Sequence, residues 1–181
     1  QSIVEYNGVI PQLFAQDFSA GTDFFDYQNV IVNNSSAIVP QLTMEGNAVI
    51  HSSLTLTDGI VTSFLDSMLM IDDNSTSTIG HIGSFVDGPM KKIGNDNNFV
   101  FPVGDADSLV WARLQMRDIT NFDVTTEFTC DYNREAAPNQ LLVSASVDHV
   151  SKIEWWDLTR YADLNDDASC NVRLYWEVDT L

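Results

Sequence analysis

The sequence predicts an all-β protein. A short β-solenoid-like or meandering N-terminal half, residues 1–94, joins an antiparallel β-sandwich-like C-terminal half, residues 95–181. Three observations predict this. The i, i+3, i+4 apolar period of a capped helix is nearly absent. Short apolar–polar alternations recur instead, broken by Asn, Asp, Gly and Ser. The strand-like runs then lengthen and gain aromatic residues in the second half.

The first half carries a faint repeat. Val30-Ile31-Val32 precedes the polar corner Asn33-Asn34-Ser35-Ser36. Leu42-Thr43-Met44 follows, then Leu54-Thr55-Leu56 twelve residues later and Leu69-Met70-Ile71 fifteen after that. Short strands with small polar corners, a dozen or so residues apart, suit stacked rungs of a solenoid. A meander of antiparallel strands permits the same pattern.

The stretch SFVDGPMKKIGNDNNFVFPVGD, residues 84–105, reads as a joint between the halves. Phe85-Val86 ends a strand, Asp87-Gly88-Pro89 is a turn, and Phe99-Val100-Phe101 is a short strand broken at Pro102 and Gly104. Lys91 and Lys92 are the only adjacent cations in the chain. They are expected to pair with neighbouring acids. The rival reading is an anion site made by both lysines and nearby backbone N–H groups.

Beyond the joint, Val110, Ala112, Leu114 and Met116 alternate with Trp111, Arg113, Gln115 and Arg117. Leu141, Val143, Ala145 and Val147 alternate likewise, and KIEWWDL and NVRLYWEV follow. These read as half-buried antiparallel strands. Cys130 shares a face with Val124, Thr126, Phe128 and Tyr132, and Cys170 with Val172, Leu174, Trp176 and Val178. Both thiols are therefore expected to face a core. A Cys130–Cys170 disulfide would close a loop of about 40 residues and stabilise by roughly 3–4 kcal/mol. The alternative is two unlinked thiols acting as small hydrophobes. The chain stops just after a strand, so further strands are expected beyond Leu181, and Gln1 is expected to follow a removed signal peptide or a cut in a longer chain.

Composition narrows the function classes. Hydrophobic residues make up 44%, enough for a core, and no apolar run is long enough for a membrane helix. Eight Lys and Arg face 26 Asp and Glu, a formal net charge of -18. Such a chain repels phosphate backbones and anionic membranes, so nucleic-acid binding and membrane insertion are not expected. The acidity suits divalent cations, or else solubility in a salty medium.

The joint and its flanks resemble a region of large secreted and surface proteins of Bacteroidota, in which a run of the type S-F/Y-V-x-G-P-M/L-x-K-x-G precedes F-x-F-P-V-G. Upstream, Tyr27-Gln28-Asn29-Val30-Ile31-Val32-Asn33-Asn34 and Leu54-Thr55-Leu56-Thr57-Asp58-Gly59 resemble the rungs that precede this run. Downstream, Val150-Ser151-Lys152-Ile153-Glu154-Trp155-Trp156-Asp157-Leu158 and Val172-Arg173-Leu174-Tyr175-Trp176 resemble its following strands. The likeness covers residues 24 to 178. It implies export, often by the type IX system, and an adhesin-like role with no catalytic residues.

His51, His81 and His149 share no ligand spacing, and no nucleophile, phosphate-loop or dinucleotide motif is present. The solenoid-like half has almost no cations before Lys91, which argues against a polyanion-cleaving rung face. The expected cofactor is none, or a structural Ca2+ held by oxygen-rich loops. Candidate ligands are Asp72 and Asp73, Asp105 and Asp107, and Asp166 and Asp167; the alternative is that these are turn-forming side chains. Trp111, Trp155 and Trp156 are candidate sugar-stacking residues, with core packing as the alternative. Trp155 and Trp156 must face opposite sides of their strand. The sequence therefore predicts a non-enzymatic structural or adhesion module of a secreted or cell-surface protein. Its expected partners are neighbouring domains of a larger polypeptide and surface glycans. The alternative is a carbohydrate-binding module beside an enzyme.

Overall fold

A computed structural model describes residues 2–14, 25–138, 150–161 and 167–176. The strand expected over residues 140–147 lies outside them, as do His149, Asp166 and Val178. The described residues form strands, bridges, turns and irregular segments, with no helix among them.

Five successive coils each place strands in two sheets. The first supplies β1 (Ile3–Tyr6) and β2 (Gln12–Phe14), the second β3 (Phe25–Asn33) and β4 (Leu42–Met44), the third β5 (Ala48–Asp58) and β6 (Val61–Thr62). The fourth supplies β7 (Leu69–Ile71), the short β8 (Thr76–Ser77) and β9 (Val86–Asp87). The fifth supplies β10 (Met90–Ile93), β11 (Val100–Phe101) and β12 (Val103–Asp105). β1, β3, β5, β7 and β10 pair in parallel in one sheet, with β8 also beside β5; β2, β4, β6, β9 and β12 pair in parallel in the other. The N-terminal half is thus solenoid-like, not a meander.

The coil period differs from the spacing read in the sequence. Ile3 lies beside Asn29, Tyr27 beside Ile50, Ile50 beside Ile71 and Leu69 beside Met90, steps of 26, 23, 21 and 21 residues. Leu54-Thr55-Leu56 stacks on Val30-Ile31-Val32, whereas Leu42-Thr43-Met44 belongs to the opposite sheet. The twelve-residue spacing is the step from one sheet to the other, as from Val30 to Leu42 and from Leu42 to Leu54. Two such steps make one repeat.

Inward side chains form columns across the coils. Ala48, Leu69, Met90 and Cys130 are in register and buried, as are Leu42, Val61, Val86 and Val103. A third column runs Ile50, Ile71, Lys92, Phe128, so a cation takes an aliphatic position. Each fully buried aliphatic side chain contributes about 1.5–3 kcal/mol relative to exposure. Gly88 makes the turn after β9: its φ is +100°, and the Ser63 carbonyl leaves no room for a Cβ.

The parallel stack ends at the fifth coil on antiparallel partners. β12 pairs with β13 (Val110–Trp111). The next strands are β14 (Arg113–Thr120) and β15 (Glu127–Asn133), and β10 pairs with β15. β16 (Trp155–Tyr161) extends that sheet beyond β15, and β17 (Ser169–Tyr175) pairs with β14 in a three-stranded sheet β11–β14–β17. The inner faces of these antiparallel sheets share one core, with edge-on pairs Phe99–Phe101 at 4.9 Å and Phe122–Phe128 at 5.1 Å. The seam is electrostatic as well as apolar. Lys91 Nζ meets Glu127 Oε2 at 2.6 Å across β10 and β15. Lys92 is fully buried; its Nζ donates to the Asp72 carbonyl, lies 2.5 Å from Asp96 Oδ2 and sits 5.3 Å from the Phe99 ring centre. Both lysines pair with acids, as expected from the sequence.

Two expectations about the second half need correction. Cys130 and Cys170 are free thiols. Cys130 is buried in β15 and Cys170 half-buried in β17, on different sheets. The face Cys170, Val172, Leu174, Trp176 is also less covered than its pattern implies. Val172 and Leu174 are 47% and 39% exposed, while their β14 partners Met116 and Leu114 are buried. β14 has a neighbour on each side and β17 has one among the described residues, so cover is lost at the edge.

Candidate functional site

The outer face of β14 and β17 gathers groups scattered in the sequence. Leu114 and Met116 point into the core, so Arg113, Gln115 and Arg117 point outward. Across the ladder, Tyr175 stands opposite Arg113, Arg173 opposite Gln115 and Asn171 opposite Arg117. Directly opposed residues share a face. The Arg113 guanidinium lies 4.4 Å from the Trp111 ring centre and 4.5 Å from that of Tyr175, held between two aromatic rings. Tyr175 donates its hydroxyl to Gln115 Oε1 at 2.9 Å and accepts from Arg173 at 3.3 Å. Trp111 donates its indole N–H to the Ile79 carbonyl at 3.1 Å, which fixes the ring.

A cleft of about 230 Å³ adjoins this strip, between the segment 74–79 and the segment 96–100. The two meet at Ile79, which accepts from Trp111, and at Val100, the β11 partner of Gln115. Thr76, Ser77, Asn97 and Asn98 supply its hydroxyl and amide groups.

A second, wider depression of about 330 Å³ is acidic. Asp87, Asp105, Asp131 and Glu135 line it, with Arg134 on its wall. Burial pushes the Asp131 carboxyl up to about 6, with Asp87 and Asp157 adding repulsion, and its Oδ1 has no hydrogen-bond partner. Burial also raises Asp87, while bonds from the Ala106 N–H and the Thr62 hydroxyl oppose the shift.

The solenoid surface carries a third cluster. His51 Nε2 lies 2.9 Å from Asp26 Oδ1 and Nδ1 lies 2.6 Å from Asp72 Oδ2, so one ring ties β3 and β5 to the residue after β7. These two hydrogen-bonded carboxylates, Asp26 first, raise the histidine above its ordinary range.

The residues singled out from the sequence fall into different surroundings. Asp72 holds His51 and the Asp73 N–H, and Asp73 accepts from Asn74. Asp105 accepts the Ser108 N–H at 2.6 Å, closing its own turn, and Asp107 is exposed beyond it. Asp166 lies outside the described residues, and Asp167 is exposed. Among the described residues no three His, Cys, Asp or Glu side chains are arranged to hold a metal ion. Trp111 lies on the arginine strip. Trp156 faces inward, 5.0 Å from Tyr132 and 6.2 Å from Trp176, while Trp155 occupies the opposite face of β16 beside Asn133. Both Trp155 and Trp156 are half-buried, and the more exposed indole is Trp176, at 58%. The three candidate tryptophans therefore form no shared platform. Sequence reasoning missed the strip itself. The alternation Trp111, Arg113, Gln115, Arg117 was its local signal, and the pairing with Arg173 and Tyr175 is non-local.

The chain matches no protein-family model, no curated protein and no solved structure.

Proposed function

We propose that the chain is a non-catalytic structural or adhesion module of a secreted or cell-surface bacterial protein, working beside neighbouring domains of a larger polypeptide. One observation supports the reading most directly. The last parallel strands, β10 and β12, pair straight into antiparallel strands, and the Lys91–Glu127 and Lys92–Asp96 pairs lie at that seam. Load applied to one half would pass to the other through backbone ladders. Parallel stacking of coils on their neighbours shares strain among many hydrogen bonds.

Single-molecule stretching tests this reading. The expected trace is one high-force event in which coils and sandwich yield together. Separate low-force peeling of the coils, with the sandwich left intact, would rule out a load-bearing seam.

A second reading, a carbohydrate-binding module, is favoured by the Trp111–Arg113–Tyr175 stack beside a hydroxyl- and amide-lined cleft.

A further inference from the structure

Arg113, Arg117 and Arg173 are three of only eight Lys and Arg residues in a chain with 26 carboxylates, yet all three share one face of one sheet. Among the described residues, no carboxylate forms an ion pair with any of them, whereas Lys91 and Lys92 each have one. Their spacing is set by the ladder. Residues two apart on a strand are about 6.8 Å apart along it. Arg113 and Arg117 flank Gln115, and Arg173 lies directly across from Gln115, so the cations form a staggered row. Like charges repel at such distances; the carboxylate at the end of the row, Asp118, accepts from Asn171 at 2.9 Å across from Arg117 and forms no ion pair with the row.

The row also carries hydrogen-bond donors on the outer face. Trp111 and Tyr175 hold the Arg113 guanidinium at 4.4 and 4.5 Å from their ring centres, and among the described residues no carboxylate forms an ion pair with it. Gln115 uses its carbonyl oxygen on Tyr175, so its amide N–H groups remain as donors. A planar fork of N–H groups matches the paired oxygens of a carboxylate or sulfate. The adjoining cleft offers hydroxyl and amide groups, which suit neutral hydroxyls, and the carboxylate in its lining, Asp96, is already paired with Lys92. Charge and neutral polarity side by side are the features of a sugar chain bearing anionic groups.

We propose that the outer face of β14–β17, with the cleft beside it, binds a linear acidic polysaccharide. Arg113, Arg117 and Arg173 take its carboxylate or sulfate groups, and Gln115, Asn97 and Asn98 take its hydroxyls. This rests on the adhesion part of the reading above and is separable from the load-bearing part. The carboxylates elsewhere disfavour a polyanion at long range, but at about 0.15 M salt the screening length is about 8 Å, and contacts on the face dominate.

The test is calorimetric titration of the whole chain at that salt concentration with polygalacturonate, chondroitin sulfate, neutral dextran and single-stranded DNA. Binding is expected to polygalacturonate or chondroitin sulfate, which separates carboxylate from sulfate, and not to dextran or DNA. Arg117→Gln and Arg173→Gln should each weaken it about tenfold or more, the loss of one charge-assisted contact. Arg117 makes no stacking or ion-pair contact within the described fold, so its variant should melt like the parent. Failure to bind either acidic polymer, equal binding of dextran, equal binding of DNA, or unchanged affinity in Arg117→Gln/Arg173→Gln would each overturn the proposal. Saturable self-association through this face in place of polymer binding would overturn it as well.

Discussion

Lys92 occupies the place of an isoleucine in the column headed by Ile50 and Ile71, and its ammonium finds Asp96, four residues later in the chain, at 2.5 Å. Burial pulls the Lys92 pKa down and Asp96 opposes that shift. Removing one partner of such a pair costs far more than replacing both partners by uncharged side chains. Asp96→Ala should therefore destabilise by about 3 kcal/mol, a fall in Tm of about 6–12 °C for a chain of this size. The double variant Lys92→Met/Asp96→Ala, which leaves neither charge unpaired, should lose much less. Denaturant melts of the two variants check this, and equal losses in both would refute the column argument.

The His51 clamp makes a pH prediction with a definite sign. The folded pKa lies above the unfolded value of 6.5, so the stabilisation is fully present below that value and is lost as pH rises through the folded one. An NMR titration should place the His51 midpoint above that of an exposed histidine. In Asp26→Ala the midpoint should drop towards the ordinary value. A midpoint at 6.5 or below in the parent would remove the clamp.

Asp131 acts in the same direction by a different route. Its folded pKa is about 6, against an ordinary 3.8. Between those values the folded state holds a proton that the unfolded chain has released, so stability falls as pH rises through this window. Asp131→Asn should raise stability at pH 7.5 by about 1–2 kcal/mol, after discounting for solvent screening, and leave it little changed near pH 3. A variant that gains equally at both pH values would show that charge is not the cause.

Calcium should leave Tm unchanged. The Asp72, Asp73 and Asp105 side chains are engaged by His51, Asn74 and the Ser108 N–H, and binding an ion would require breaking those bonds. Melting in millimolar calcium and then in chelator decides the matter. A rise of several degrees with calcium would mean that the acidic loops rearrange around an ion.

The strand character of the chain was legible because alternation is local. Arg113 to Met116 could be assigned inward and outward faces from sequence alone, and Trp155 and Trp156 to opposite faces. The coil period was not legible, because Leu42–Met44 and Leu54–Leu56 look alike yet belong to different sheets. Which strand lies at an edge is equally non-local, so the exposure of Leu174 and Val172 was missed. The arginine strip needed the same knowledge: Arg173 is sixty residues from Arg113 in sequence but one ladder position away diagonally.

The coil-upon-coil register gives the protein a ruler with discrete marks. Each coil adds one strand spacing, about 4.8 Å, to the stack. Because Ala48 lies in register with Leu69 and Ile50 with Ile71, one 21-residue coil can be excised or duplicated while the neighbouring strands still meet in phase. The separation between the first coil and the β14–β17 face can then change only in whole steps. Insertions of intermediate length must bulge out at the corners and leave that separation as it was.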